Sequence, residues 1–164
     1  METNKVNYVW GLLRLAMGWT FLWAFLDKLI GLGFTTLPEK AWLAGGSPTF
    51  GFLKFATKGP FVEFYQSLAG NGLVDFLFMA GLLFVGISLL FGIFTKLGSF
   101  SGALILILMY SAGFIPPEHN PFLDEHIIYS IMLFGLLFSH SGKYFGFGNW
   151  WSNTKLVRKY PVFE

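Results

Sequence analysis

The sequence predicts an all-α integral membrane protein: a four-transmembrane-helix bundle with an aromatic-rich extracytoplasmic segment between its first and second helices. Three observations predict it. Hydrophobic residues make up 54% of the 164-residue chain against 12% charged, with a mean hydropathy of +0.59, which does not fit a soluble surface. Four apolar stretches approach the roughly 20 residues a membrane span requires. Aromatic residues reach 20%, with 21 Phe, 6 Trp and 6 Tyr, a content suited to lipid contact, interfacial belts or flat apolar ligands.

The first span covers residues 6–29. It carries Arg14 inside its apolar run and Asp27-Lys28 near its end. It is too long for the h-region of a signal peptide and lacks a small-residue cleavage pattern, so it reads as a retained signal anchor. The segment 31–72 follows. Phe50, Phe52, Phe55, Phe61, Phe64 and Tyr65 crowd between Gly45-Gly46-Ser47-Pro48 and Gly59-Pro60, which predicts one or two short amphipathic helices in the interface or over the bundle mouth. An aromatic belt with no further role is the equal alternative. The second and third spans cover residues 76–94 and 97–115. The fourth covers residues 122–139 and opens with Asp124, Glu125 and His126. Residues 1–151 thus form one membrane domain, and 152–164 a basic tail whose Lys155, Arg158 and Lys159 suit anionic headgroups.

Loop charge orients the bundle. With both termini cytoplasmic, the inner side carries Lys5, Lys96, Lys143, Lys155, Arg158 and Lys159, while the turn Pro116-Pro117-Glu118-His119 has no Lys or Arg. Lys40, Lys54 and Lys58 then lie outside, which weakens the bias without reversing it. The expected location is the cell membrane.

Whole classes of chemistry drop out. Lys and Arg number 11 against 9 Asp and Glu, and no basic run is interleaved with polar residues, so nucleic acid is not the partner. Without cysteine the chain has no thiolate nucleophile, zinc-thiolate site or cysteine-ligated cluster. A bis-histidine haem needs two His at one depth on facing helices, whereas His126 and His140 stand at opposite ends of one helix. Nucleotide-binding glycine motifs and the H-E-x-x-H zinc motif are missing. No haem, metal or flavin is expected.

Charges within membrane spans cost about 2.5–3.5 kcal/mol each on insertion scales, so each is a candidate site. Arg14 and Lys28 share a face of the first helix, about 40° apart and roughly 21 Å in height. On the fourth helix His126, Ser130, Leu133, Leu137 and His140 form one stripe. Antiparallel packing then gives two polar layers, an outer one with Lys28 and His126 and an inner one with Arg14 and His140. The outer layer adds Asp27, Asp75, Tyr110, Asp124, Glu125 and Tyr129. A His, a carboxylate and a Tyr around an apolar pocket suit a quinone head, whose carbonyls accept hydrogen bonds and gain protons as they gain electrons. The alternative is that these carboxylates sit at helix ends, favoured by the helix dipole. Arg14 has two readings as well, an anion or partner holder near His140 and a side chain snorkelling to headgroups. Trp19 and Trp23 read as lipid-facing or packing residues. Gly98 and Gly102 make a small-xxx-small pair that suits close packing inside the bundle.

Four stretches, GWTFLWAFLDKLIGLGF from Gly18, AWLAGGSPTFGFL from Ala41, GLLFVGISLLFGIFTKLGSFSGALILILMY from Gly81 and DEHIIYSIMLFGLLFSHSGKYFGFGNWW from Asp124, resemble the DoxX/DoxD family. The resemblance covers nearly the whole chain and implies a four-helix membrane protein. Its DoxD branch is the membrane subunit of thiosulfate:quinone oxidoreductase and works with a second subunit, DoxA. It therefore implies electrons from thiosulfate passing to membrane quinone, with a separate DoxA-like partner here. Carried over, Arg14, Lys28 and His126 match charged family positions. The expected catalytic residues are His126, Asp27 and Tyr129, and the expected substrate-binding residues Arg14, Lys28 and Tyr110. The competing expectation is a non-catalytic membrane anchor or scaffold of a redox complex. A solute carrier is a third reading, disfavoured by the lack of broken helices and inverted repeats. Oligomer formation is left open.

Overall fold

The computed structural model describes residues 2–113 and 122–164, with side chains from Lys5 onward. Among these residues the regular structure is all helical, apart from one parallel bridge between Lys58 and Gly113. Three helices are long and apolar enough to cross a membrane: α1 (Glu2–Ile30), and, beyond the short α2 (Val62–Ser67), α3 (Gly72–Phe91) and α4 (Thr95–Ala112). The fourth predicted span is a shorter apolar helix, α5 (Glu125–Phe138), of 14 residues. At 1.5 Å per residue it is about 21 Å long, less than the ~30 Å of a hydrocarbon core. Its start is set by Asp124, which adopts an extended conformation and accepts from the Ile127 N–H at 3.1 Å, so Phe122 and Leu123 stay outside the helix.

Other ends are equally explicit. Asn71 caps α3 by accepting from the Leu73 and Val74 N–H groups, and Gly92 closes it in the left-handed region at φ 71°. The helix therefore begins four residues before the predicted start at Phe76. Phe94, at φ 52°, turns the chain into α4.

The helices pack in the order α1, α3, α4, α5, and α5 meets α1 only marginally. Met17 and Phe21 of α1, Met79, Val85 and Leu89 of α3, Leu106 of α4 and Leu133 and Leu136 of α5 form the core. Small residues set the spacing. A Cβ at Gly18 would stand 2.7 Å from the Leu90 nitrogen, and one at Gly86 2.8 Å from the Leu22 nitrogen, so α1 and α3 touch backbone to backbone. Gly98 and Gly102 are buried inside the bundle, against Ser88 and against Leu133, Val85 and Phe21 respectively.

The segment between α1 and α3 is ordered as single 3-10 turns at Pro38–Lys40 and Trp42–Ala44, a π turn at Phe52–Ala56, and α2. It is fastened to α4 by the Lys58 N–H donating to the Ala112 carbonyl at 2.9 Å and by a 2.5 Å hydrogen bond between Tyr65 and Ser111. Phe34, Leu43, Phe55 and Phe64 remain exposed. Beyond α5 the chain makes a turn at Ser141–Lys143, then α6 (Gly148–Ser152), α7 (Lys155–Lys159) and a last turn at Pro161–Phe163.

Candidate functional site

The ends of α1 and α4 and the starts of α3 and α5 share one end of the bundle, and there the predicted outer layer can be read residue by residue. Asp27 is only 1% exposed, and its carboxylate is consumed by the chain that follows α1. It accepts from the Phe34 N–H at 3.2 Å, the Thr35 N–H at 2.9 Å and the Thr35 hydroxyl at 2.6 Å. Lys28 reaches the same Thr35 hydroxyl at 3.4 Å. Asp75 is buried and does for the segment between α1 and α3 what Asp27 does for the first loop. Its Oδ1 accepts from Ser47 Oγ, the Thr49 N–H and Thr49 Oγ1 at 2.9, 3.1 and 2.6 Å. Both carboxylates hold loops against helix ends.

At the head of α5, Asp124 divides its two oxygens between capping the helix and accepting from His126 Nδ1 at 2.8 Å. Both side chains are about four-fifths buried. With Nδ1 turned to the carboxylate, Nε2 is the ring atom able to take up or deliver a proton, and among the described residues it makes no hydrogen bond. Ser130 Oγ donates to the His126 carbonyl at 2.7 Å, fixing the first turn. Glu125 stands beside the pair, and one donor atom from each of Asp124, Glu125 and His126 lies within 4.8 Å of the others. Two carboxylates and an imidazole are a donor set for a divalent cation, but Asp124 already serves the helix and the ring. Tyr110, late in α4, donates to the Phe122 carbonyl at 3.1 Å and so ties α4 to the approach to α5. Tyr129 is exposed on α5, one turn beyond Glu125. His119 and the turn around it lie outside the described residues.

The other end carries an arrangement that spacing did not reveal. Arg14 is fully buried, and no carboxylate faces it among the described residues. Its guanidinium has five N–H groups, and each has a backbone carbonyl. Nε donates to Ser141, Nη1 to Leu89 and Leu90, and Nη2 to Tyr144 and Phe145. Leu89 and Leu90 belong to the last turn of α3, where carbonyls lack helical partners and the dipole is negative. The other three carbonyls belong to the loop after α5, so Arg14 joins three parts of the chain. Glycines make room for it. A Cβ at Gly92 would lie 3.3 Å from Cζ, and one at Gly146 3.0 Å from Nη2. No N–H of Arg14 remains for an anion, and its partners are carbonyls rather than His140.

His140 faces Glu164 instead. The Glu164 carboxylate lies 3.0 Å from His140 Nδ1, 2.9 Å from Lys96 Nζ and 3.6 Å from Lys143 Nζ. Burial alone pushes its pKa up, but the hydrogen bonds and positive charges of Lys96 and His140 outweigh that and hold it below the ordinary glutamate range. Residues 152–164, read from sequence as a basic tail, are therefore folded onto the bundle. Trp151 Nε1 donates to the Phe163 carbonyl at 2.6 Å, and the Phe94 ring contacts those of both Trp151 and Phe163.

The structure thus joins Asp27 to Lys28 through Thr35, His126 to Asp124, and His140 to Glu164. It does not join Lys28 to His126, or Arg14 to His140, by any hydrogen bond or ion pair among the described residues. In comparison with known proteins, no family model, curated protein or solved structure matches the chain.

Proposed function

We propose that the chain is the multi-pass membrane subunit of an oxidoreductase that passes electrons from thiosulfate, or a similar small sulfur anion, into membrane quinone. The family resemblance of the sequence suggests this reaction, and one observation in the site supports it. His126 is a largely buried imidazole oriented through Nδ1 by Asp124, with Nε2 available at the head of an apolar helix. That is the equipment for passing protons to a quinone. Two thiosulfates couple to tetrathionate and release two electrons; quinone takes up those electrons and two protons to become quinol. His126 delivers protons at Nε2, with Tyr129 beside it, and Lys28 supplies the cation that attracts the dianion. Asp27 and Arg14 serve the fold in this reading, because their polar atoms are already bonded to the chain itself. With no cysteine to carry a sulfur intermediate, a DoxA-like second subunit takes the electrons from thiosulfate.

In the same proposal α5 is the fourth span, its shortness met by tilt-free insertion and local thinning of the bilayer. Both termini lie on the cytoplasmic side of the cell membrane. A scaffold for a redox complex is the second reading. It is favoured by the way Arg14, Asp27 and Asp75 are all bonded within the chain.

The test is thiosulfate-dependent reduction of a quinone analogue in membranes that carry the chain and a candidate partner. Removal of a proton-transferring side chain typically costs on the order of a hundredfold or more, so His126→Ala should lower turnover by about that factor at equal expression. Undiminished turnover in His126→Ala would remove that residue from the site. No turnover with the partner present would leave the scaffold.

A further inference from the structure

At the end of the bundle where α3 finishes, a shallow hollow of about 550 Å³ is lined by Phe91, Ile93, Phe147 and Trp150. All four are apolar, and the wall is built rather than incidental. The Phe147 N–H donates to the Phe91 carbonyl at 2.8 Å, and the two rings stack with centroids 6.1 Å apart. Phe147 and Trp150 are nevertheless 58% and 65% exposed, so their rings face outward over the hollow. The last turn of a membrane-spanning helix is the depth at which hydrocarbon gives way to headgroups, and aromatic rings favour that depth.

The charge on the neighbouring helix is one-sided. Trp150 belongs to α6, which packs on α7, and α7 carries Lys155, Arg158 and Lys159. The acidic residue of this region, Glu164, is committed to Lys96, His140 and Lys143. No carboxylate pairs with the α7 cations among the described residues: Arg158 donates to Asn153 Oδ1 at 3.0 Å and Lys159 lies 5.2 Å over the Tyr160 ring, neutral partners that leave both charges uncompensated. The helix that presents them is fixed in place, since Thr154 caps it and Val157 is buried beneath it. An alkyl chain suits the hollow, and a phosphate suits the cations. A neutral lipid would fill the first and leave the second unused.

We infer that this end of the molecule is a binding site for an anionic phospholipid, with an acyl chain over Phe91, Phe147 and Trp150 and its phosphate held by Lys155, Arg158 and Lys159. The site rests on the membrane reading given above and is independent of the redox reaction. Each basic residue near a charged bilayer contributes about a fivefold preference for anionic lipid.

The full chain is reconstituted into phosphatidylcholine vesicles holding the same small fraction of either brominated phosphatidylglycerol or brominated phosphatidylcholine, and tryptophan quenching is compared. Phosphatidylglycerol should quench more strongly. Trp150→Phe should abolish the difference, and Lys155→Gln, Arg158→Gln and Lys159→Gln should each lower the preference roughly fivefold. The Trp150→Phe chain supplies the control, because its remaining tryptophans include Trp19, exposed in the middle of α1, which both brominated lipids should quench whenever the chain is inserted. Absent quenching in Trp150→Phe would overturn the membrane reading itself. Quenching there, with the two lipids having equal effects on the signal that Trp150→Phe removes, would overturn the lipid site and leave the cations to an acidic segment of a partner protein.

Discussion

Arg14 is a buried cation without an anion, and its solvation comes entirely from carbonyl dipoles, two of them at the negative end of α3. Lysine has three donors and no planar fork, so Arg14→Lys leaves at least two of the five carbonyls unpaired. Arg14→Ala leaves all five. Breaking such an arrangement costs about 3–5 kcal/mol, and unfolding in detergent followed by tryptophan fluorescence should show that loss for Arg14→Ala and a smaller one for Arg14→Lys. If either variant instead kept full stability and lost substrate affinity, the carbonyl clamp would not be its role. Sequence marks Arg14 as exceptional, because a charge inside an apolar run stands out by composition alone. Its partners are illegible there, since they are backbone atoms 75 to 131 residues away. The pairing of His126 with Asp124 could be read more directly, because the two residues are separated by a single position at a helix start. Asp27 and Asp75 were expected to belong either to a polar site or to helix ends, and their hydrogen bonds go to loops whose folding the spacing of charges does not encode.

Three helices emerge from apolar length alone, and their ends from caps that hydropathy does not weigh. Asn71 is polar and so falls outside an apolar window, yet it starts α3 by satisfying two N–H groups. The fourth helix is shorter than its apolar run because Asp124 caps its start and leaves the run's first two residues, Phe122 and Leu123, outside the helix. Small-residue packing was legible at Gly98 and Gly102, where the spacing is regular. The closer seam, Gly18 against α3 and Gly86 against α1, links two helices and has no motif along either one. It carries a prediction of sign. An alanine in a helix interior ordinarily stabilises by up to ~1 kcal/mol over glycine. At Gly86 its Cβ meets the Leu22 backbone, so Gly86→Ala should instead destabilise by about 1–3 kcal/mol in the same unfolding measurement. The segment between α1 and α3 depends on Asp75 in a comparable way. Asp75→Ala should leave α3 intact while releasing the chain around Ser47 and Thr49, visible as faster proteolytic cleavage near Gly45-Gly46 with the bundle fragments preserved.

Across the whole molecule, the C-terminal residues close the end of the bundle that Arg14 organises, and one carboxylate holds them there. Glu164 meets Lys96 from the start of α4, His140 from just beyond the end of α5 and Lys143 from the turn that follows α5, while its carbonyl accepts from the Lys96 N–H at 3.0 Å. Its pKa lies below the ordinary 4.5 in the folded chain, so the unfolded chain binds the proton more readily. The stabilisation is therefore complete above the unfolded value of 4.5 and is lost as pH falls through the lower folded value. Between neutral pH and that region the cap should stay closed; below it the Trp151 indole, held against Phe94 and the Phe163 carbonyl, should become accessible. Acrylamide quenching against pH reads this directly, with a rise confined to the acid side. Glu164→Gln keeps the shape and removes the charge, so it should raise quenching at neutral pH and flatten the acid step. A wild-type step that persisted unchanged in Glu164→Gln would assign the closure to another acid. Since Lys143 and Trp151 belong to the same end as the proposed lipid site, opening the cap should also weaken the preference for anionic lipid. A single carboxylate would then both close the fold and, by being spent on Lys96, His140 and Lys143, leave the α7 cations without an acidic partner.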